Sequence, residues 1–337
     1  MPKLRLVYDL RRAPFSPASS TEIVATALDQ CEWADQHVFF QVNFGEHHGS
    51  DDGYVPSPLT ALAAVAARTK HVRLVPIILA PLYDPIRLAE ETALVDLISG
   101  GRLDPVIGTG YVPSEFAMFG KDLDNRVAAQ EECVEVLKRA WTGETFPYRG
   151  TTVRVTPRPH QQPRPLITLA GMSRGAARRA ARIADRFEAG EPGHWKHYEA
   201  ECARLGRDPG PRPRGGPAFL YVTEDPDAAW PSLAPYLLHH IREYERWTRE
   251  SYGRVAGPFG DAHDLAALQQ NPAFQVVTPD QCVGLARRFD PDGSLAFTAL
   301  MGGLPPEMSW TSLELFAKKV LPNLSMTSPL QKEPTRR

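Results

Sequence analysis

The chain has 337 residues, a formal net charge of -2 and 23% charged side chains. With no basic excess to recruit nucleic acid or an anionic membrane, a small-molecule partner is the default expectation. Length alone permits two ordinary domains or one large α/β barrel.

The first residues, MPKLRLVYDLRRAPF, lack the apolar core of a secretory signal, and no apolar run approaches the ~18 residues of a membrane span. A soluble, cytoplasmic protein is expected. Its four cysteines, Cys31, Cys133, Cys202 and Cys282, are far apart and form no C-x-x-C, which fits free thiols.

Along the chain, LRLVYDL (4–10), HVRLVPIILA (71–80) and PLITLA (165–170) are apolar without alternation, the signature of parallel strands covered on both faces. Helical spacing appears in Leu59, Leu62, Ala63 and Ala66, and again in Val127, Val134, Leu137 and Trp141. A capping side chain precedes proline at Ser57-Pro58, Asp84-Pro85, Asp225-Pro226 and Thr278-Pro279, marking four helix starts. Thr278 with Gln281, and Thr311 with Glu314, have capping-box spacing. Strands are expected near 4–9, 38–44, 72–80, 103–108, 166–170, 186–190, 217–223 and 295–301, with Pro105 interrupting the fourth. These strand-then-helix units point to a single (β/α)8 TIM barrel over residues 1–325. An insertion at about 250–277 precedes the last unit, and 326–337 form a C-terminal tail. The proline-rich stretches 157–165 and 209–217 read as stiff surface loops.

In such a barrel, the loops after the strands' carboxyl ends build the active site. Glu46, His47 and His48 directly follow the second strand, in FFQVNFGEHHGSDD. Adjacent residues rarely converge on one metal ion and H-E-x-x-H is absent, so no metal site is expected. A histidine donating a proton or anchoring a buried ligand is the sharper reading, and a solvated polar loop is the bland one. After the fifth strand, LAGMSRGAARRAARIADRF (169–187) places Gly171, Ser173, Arg174 and Gly175 at the start of an alanine-rich helix. That arrangement suits a phosphate, though an ordinary glycine turn followed by a solvated face of Arg178, Arg179 and Arg182 accounts for it equally well. In VIGTGYVPSEFAMFG (106–120), Gly108 and Gly110 allow a flat ligand to approach the backbone, and Glu115 is an acid, a base or a cap. The GTG there is not a dinucleotide fingerprint, since G-x-G-x-x-G is incomplete. His194 and His197 read as a surface helix, and His239-His240 as a helix edge.

Taken in order, EHHGSDDGYVPSPL, AARTKHVRLVP, DPIRLAEETALVDLISGGRLD, GTGYVPSEFAMFG and AGMSRGAARRAARIAD resemble the bacterial luciferase-like flavin-dependent monooxygenase family. The resemblance runs from about 4 to 190 and implies a (β/α)8 barrel holding reduced FMN, or F420 in a sister branch. It further implies dioxygen, a small organic substrate, a separate flavin reductase and a homodimer. By position it places the family histidine on His47, with His48 following and Glu46 orienting the cluster. An unusual cis peptide against the flavin ring would fall at Pro76-Ile77, flavin contacts at Thr109 and Gly110, and the phosphate turn at Ala170, Gly171, Met172 and Ser173 beside Arg174. The family's H-G-F, A-D-G-F and G-G-x-S stand here as His37-Val38-Phe39, Ala184-Asp185-Arg186-Phe187 and Ala170-Gly171-Met172-Ser173. The leading expectation is an FMN-dependent monooxygenase. The alternatives are an F420-dependent hydride-transfer enzyme and a non-catalytic partner subunit.

Overall fold

A computed structural model describes residues 1–255, 262–289 and 293–324. Strand β1 (Lys3–Tyr8) leads to helix α1 (Ser20–Gln36), β2 (Gln41–Phe44), α2 (Pro58–Arg68), β3 (Arg73–Leu79), α3 (Pro85–Ser99) and β4 (Val106–Gly108). Then come α4 (Pro113–Met118), α5 (Arg126–Ala140), a hairpin of β5 (Phe146–Tyr148) and β6 (Thr151–Val153), β7 (Thr168–Gly171), α6 (Arg174–Ile183), β8 (Arg186–Ala189) and α7 (Trp195–Arg204). The remainder holds β9 (Arg214–Gly215), β10 (Phe219–Val222), α8 (Pro226–Tyr252), α9 (Leu265–Gln270), β11 (Phe274–Val277), α10 (Pro279–Phe289), β12 (Gly293–Phe297) and α11 (Pro306–Leu315).

Eight strands pair in parallel, in the order β8-β7-β4-β3-β2-β1-β12-β9. Sequential neighbours β1, β2, β3 and β4 are joined by helices, the connection that parallel pairing requires. The expected closed barrel is found as a curled parallel sheet, because among the described residues no strand pair joins β8 to β9. The reason lies in the chain after β9. β9 pairs with β12 for two residues, Pro217 then offers no ladder donor, and β10 pairs instead with β11 in a separate parallel ribbon. The backbone N–H of Val222 is capped by Ser312 Oγ at 2.7 Å.

All four proline-marked helix starts fall where expected, at Pro58, Pro85, Pro226 and Pro279. Asp84 accepts from the N–H groups of Ile86 and Arg87, and Asp225 from that of Ala228, while Thr278 and Gln281 form the reciprocal box. The Thr311–Glu314 pair does not. Thr311 lies inside α11 and donates back to the Glu307 carbonyl, a competing local bond that its spacing cannot reveal. The stretch taken as an insertion contains the end of α8, helix α9 and strand β11, so 250–277 is largely built structure. The 326–337 tail lies outside the described residues. β1 alternates between buried Leu4, Leu6 and Tyr8 and more open Lys3, Arg5 and Val7, so it is covered on one face rather than two.

Beneath the sheet's helices, Arg102 is buried and fixes where β3 and β4 begin. It donates to the carbonyls of Ala66 and Thr69 at the end of α2, of Ser99 at the end of α3, and of Val72, and to Thr69 Oγ1. A cation at two helix C-termini complements their dipoles. Among the described residues, no helix is long and apolar enough to cross a membrane.

Candidate active site

β7, β4, β3 and β2 are consecutive in the parallel sheet, so the segments leaving their carboxyl ends share one rim. Residues 45–48, 79–83, 109–115 and 171–174 all belong to those segments, and the sequence-predicted residues therefore gather on one mouth.

Glu46 is 3% exposed and works as a tether between strands. Its carboxylate accepts from the Leu79 backbone N–H at 2.7 Å and the Tyr83 hydroxyl at 2.8 Å, and lies 2.9 Å from His48 Nε2. Burial, then the Glu46 charge, pushes the Tyr83 phenol well above its ordinary range, so it stays a neutral donor. Of the two histidines in the cluster, Glu46 meets His48, because the pleat sends successive side chains to opposite sides as the chain leaves β2.

The partner of His47 is Glu115. His47 Nδ1 lies 2.7 Å from Glu115 Oε1, which also accepts the His48 backbone N–H at 2.8 Å. Glu115 is 1% exposed, and its Oε2 is buried with no hydrogen-bond partner. α4 presents it, and Gly110 lets the chain reach α4. Gly110 has φ +67°, and a Cβ there would lie 2.9 Å from the Phe116 ring. With Glu115 accepting from Nδ1–H, the other ring nitrogen, Nε2, is left to hold or release a proton.

Residues that the sequence reading left aside close the mouth over His47. Trp247 of α8 stacks on its ring with centroids 3.9 Å apart, and Tyr54, Tyr111 and Tyr244 meet it edge-on at 4.9, 5.7 and 5.9 Å. Gly45 is needed here, since a Cβ would lie 2.2 Å from the Tyr54 hydroxyl. Arg11, just beyond β1, is fully buried, with its guanidinium carbon 5.0, 5.4 and 4.9 Å from the Tyr54, Tyr244 and Trp247 rings. It pairs with Asp52 at 3.1 Å, and Asp52 lies 2.8 Å from His239 Nε2. Burial raises the Asp52 carboxyl, but His239, Arg11 and Ser50 outweigh it and hold the group below its ordinary value. His240 Nδ1 lies 3.0 Å from Asp9. Burial pushes that imidazole below its usual pKa despite Asp9. His239 and His240 are therefore mouth residues rather than a helix edge. Their signal is the i, i+4 run His240, Tyr244 and Thr248 with Trp247 beside it, one face of helix α8.

On the same rim, residues 171–175 form a tight turn into α6. Ser173 caps α6, its Oγ accepting from the Ala176 N–H at 3.1 Å. A Cβ on Gly171 would lie 2.3 Å from Ala176 Cβ, so only glycine permits this approach. Ser173, Arg174 and Gly175 are exposed and Met172 is 42% exposed. Cations gather nearby. Desolvation, then Lys196, Arg174, His194 and Arg178, lowers the His197 pKa. Arg179, assigned to a solvated face, is instead buried and donates to Gln130 Oε1 at 2.9 Å. Pro76 is buried opposite Phe44, and Ile77 pairs with Val106, but their peptide bond is not among the cis bonds, which are Thr156-Pro157 and Gln162-Pro163. Thr109 is half-buried at the rim.

A family model described as luciferase-like monooxygenase matches residues 10–286. The oxygenase component of a flavin-dependent trigonelline monooxygenase from Acinetobacter baylyi is 35% identical over 152 residues, 42% of each chain. An F420-dependent glucose-6-phosphate dehydrogenase from Amycolatopsis mediterranei is 28% identical over 198 residues, 55% of this chain and 56% of that one. The matched stretch spans about half the length of the curated relatives, 48% for each of the first two. Among solved structures, the monooxygenase RslO1 from Streptomyces bottropensis superposes with a TM-score of 0.75 at 28% identity, covering 95% of this chain and 99% of that one. The oxygenating constituent of 3,6-diketocamphane monooxygenase from Pseudomonas putida, solved with FMN, shares the fold at 20% identity and a TM-score of 0.73, covering 96% and 99%.

Proposed function

Because the chain belongs to the luciferase-like monooxygenase family, we propose that it is the oxygenase of an FMN-dependent monooxygenase acting on a small organic substrate. The observation that carries this reading is the His47–Glu115 pair, a buried imidazole–carboxylate dyad at the strand-end mouth. The residues fit the cofactor at its phosphate end, where Gly171 lets the strand end approach α6 closely, a Cβ there meeting Ala176, and Ser173 starts a helix whose amides attract an anion. Ser173 and the N–H groups of α6 would hold the phosphate, with Arg174 adding charge, while Thr109 and Gly110 would border the ring. Bound reduced FMN would supply the electrons and activate dioxygen. The chain's own part is to orient and to manage a proton. Glu115 fixes the orientation of the His47 ring by accepting at Nδ1, so that Nε2 faces the reacting molecule and exchanges one proton with it. Glu46 keeps β2, β3 and His48 in register around it. Aromatic rings exclude water from the same space.

A separate reductase would supply reduced flavin, and the family reading makes the curled sheet a (β/α)8 barrel closed by the 214–222 stretch. It also makes the protein a homodimer. Support for that comes from α3, which exposes Leu94 at 52%, Leu97 at 40% and Ile98 at 45%. The F420 alternative is favoured by one observation, the Arg174, Arg178, Lys196 and His197 group beside the phosphate turn, which suits a longer acidic tail. The test is oxygen-driven reoxidation of protein-bound reduced FMN, compared with free reduced FMN. An altered rate that reverts in His47→Ala supports the proposal, and identical rates in all three reject it.

A further inference from the structure

His47 can serve an external molecule only where that molecule reaches its ring, and the ring's face is covered by α8. Trp247 is 2% exposed and stacks on His47 at 3.9 Å with an interplanar angle of 21°, the geometry of a bound planar ring. Around this pair stand Tyr54, Tyr111 and Tyr244, with the Tyr54 and Tyr244 hydroxyls 3.2 Å apart. The unpartnered, buried Glu115 Oε2 lies on the carboxylate that holds His47. Its charge also raises the Tyr111 and Tyr244 phenols, after burial and a neighbouring tyrosine for the first, and after burial as the largest cause for the second. A buried acceptor without a donor is a group that a ligand would satisfy. The far end of α8 is latched at the rim, where the Ser114 backbone N–H and hydroxyl donate to the exposed Glu250 carboxylate at 2.7 and 3.2 Å. Tyr252 stacks on Tyr111 just beyond it.

We propose that Trp247 is the ring-reading residue of this site: it stands in for a planar aromatic ring bearing a hydrogen-bond donor, and such a ring displaces it and lifts residues 239–252 of α8 from the mouth. The inference rests on the reading that His47 faces the reacting molecule. Two sources supply the required chemistry, the tricyclic ring of the flavin and an aromatic substrate. Discrimination is by shape, because the incoming ring must stack on the His47 face as Trp247 does, with Tyr54 and Tyr111 standing edge-on to that face at its sides. Non-planar molecules of equal volume are excluded, and Glu115 Oε2 selects rings that donate.

The experiment is amide hydrogen exchange, read by mass spectrometry, on flavin-free protein with four probes: FMN, lumichrome (the ring without the ribityl phosphate), 1-naphthol and inorganic phosphate. Ring probes are expected to raise exchange across 239–252 by about tenfold or more while the first half of α8 stays protected, and phosphate alone to leave α8 unchanged. Trp247→Ala should bind lumichrome at least about tenfold tighter than wild type, since no side chain must be expelled. Glu250→Ala, at the exposed rim, should tighten binding by about threefold and keeps the test open where the Trp247 variant fails to fold. A response to lumichrome and FMN assigns the slot to the flavin ring, and a response to 1-naphthol alone assigns it to substrate. FMN bound with α8 exchange unchanged by every ring probe overturns the proposal while leaving the FMN function standing. Opening by 1-naphthol without FMN affinity does the reverse. Equal affinity for every ring probe in wild type and both variants overturns it outright.

Discussion

The two sides of the mouth are built in opposite ways. On one side, His47, Glu115, Arg11 and Asp52 are buried, interlocked and covered by α8. On the other, the Gly171–Arg174 turn is open, and its helix N–H groups face solvent with only the Ser173 cap in front of them. Under the proposed function, the contrast separates two tasks. A phosphate can be captured at an exposed helix start, because backbone amides and nearby cations act without burial. Proton handling needs the dry side, where one hydrogen bond sets which nitrogen carries the proton.

The comparison breaks most visibly at the dyad. His47→Ala is expected to slow turnover roughly 100-fold while FMN affinity stays within about twofold, as for a lost acid–base group. Calorimetry and steady-state rates check both halves, and a large loss of affinity would mean that the two sides are not separate. Glu115→Gln keeps the size but replaces the carboxylate that holds His47 Nδ1, so a loss of about tenfold in turnover is expected, with FMN affinity within about twofold. Unchanged turnover would reduce Glu115 to packing.

At the open side the effect should be smaller and confined to binding. Ser173→Ala combined with Arg174→Ala is expected to weaken FMN by about 1 to 2 kcal/mol, because Arg174 is exposed and screened and the helix amides remain. Equal affinity would place the phosphate elsewhere.

The smallest expected effect concerns stability. Burial holds His240 below its ordinary pKa, so unfolding favours its protonation. The unfolded chain then binds more protons below about pH 6.5, and stability falls as pH drops through that value. Melting temperature should decline from pH 7 toward pH 5, and His240→Asn should flatten that slope. Asp9, Arg11 and Asp52 face the ring, and burial outweighs the pull of the two carboxylates, so a steeper slope in the variant would contradict this assignment.

Much of the open side was legible in the sequence, and much of the closed side was not. Ser173 and Gly171 act within a few residues of one another, so their spacing already encodes the turn. The proline-marked helix starts are local in the same sense. The His47–Glu115 contact spans 68 residues, and the His239–Asp52 contact spans 187. Neither is visible without the sheet that brings β2 and β4 to one rim. The start of helix α8 was legible at Asp225-Pro226, but its 27-residue length was not, because Pro231 and Pro235 sit inside its first turns. Closure of the barrel was not legible, since counting strands says nothing of pairing: β9 holds β12 for two residues, and β10 then pairs with β11.

The central claim, that the two sides together hold a flavin for oxygen chemistry, is tested most directly by anaerobic calorimetric titration of the purified protein with reduced FMN and, separately, with reduced F420. The account predicts saturation at one FMN per chain, with F420 weaker by about tenfold or more. F420 binding tighter than FMN, or no heat with either, would contradict it.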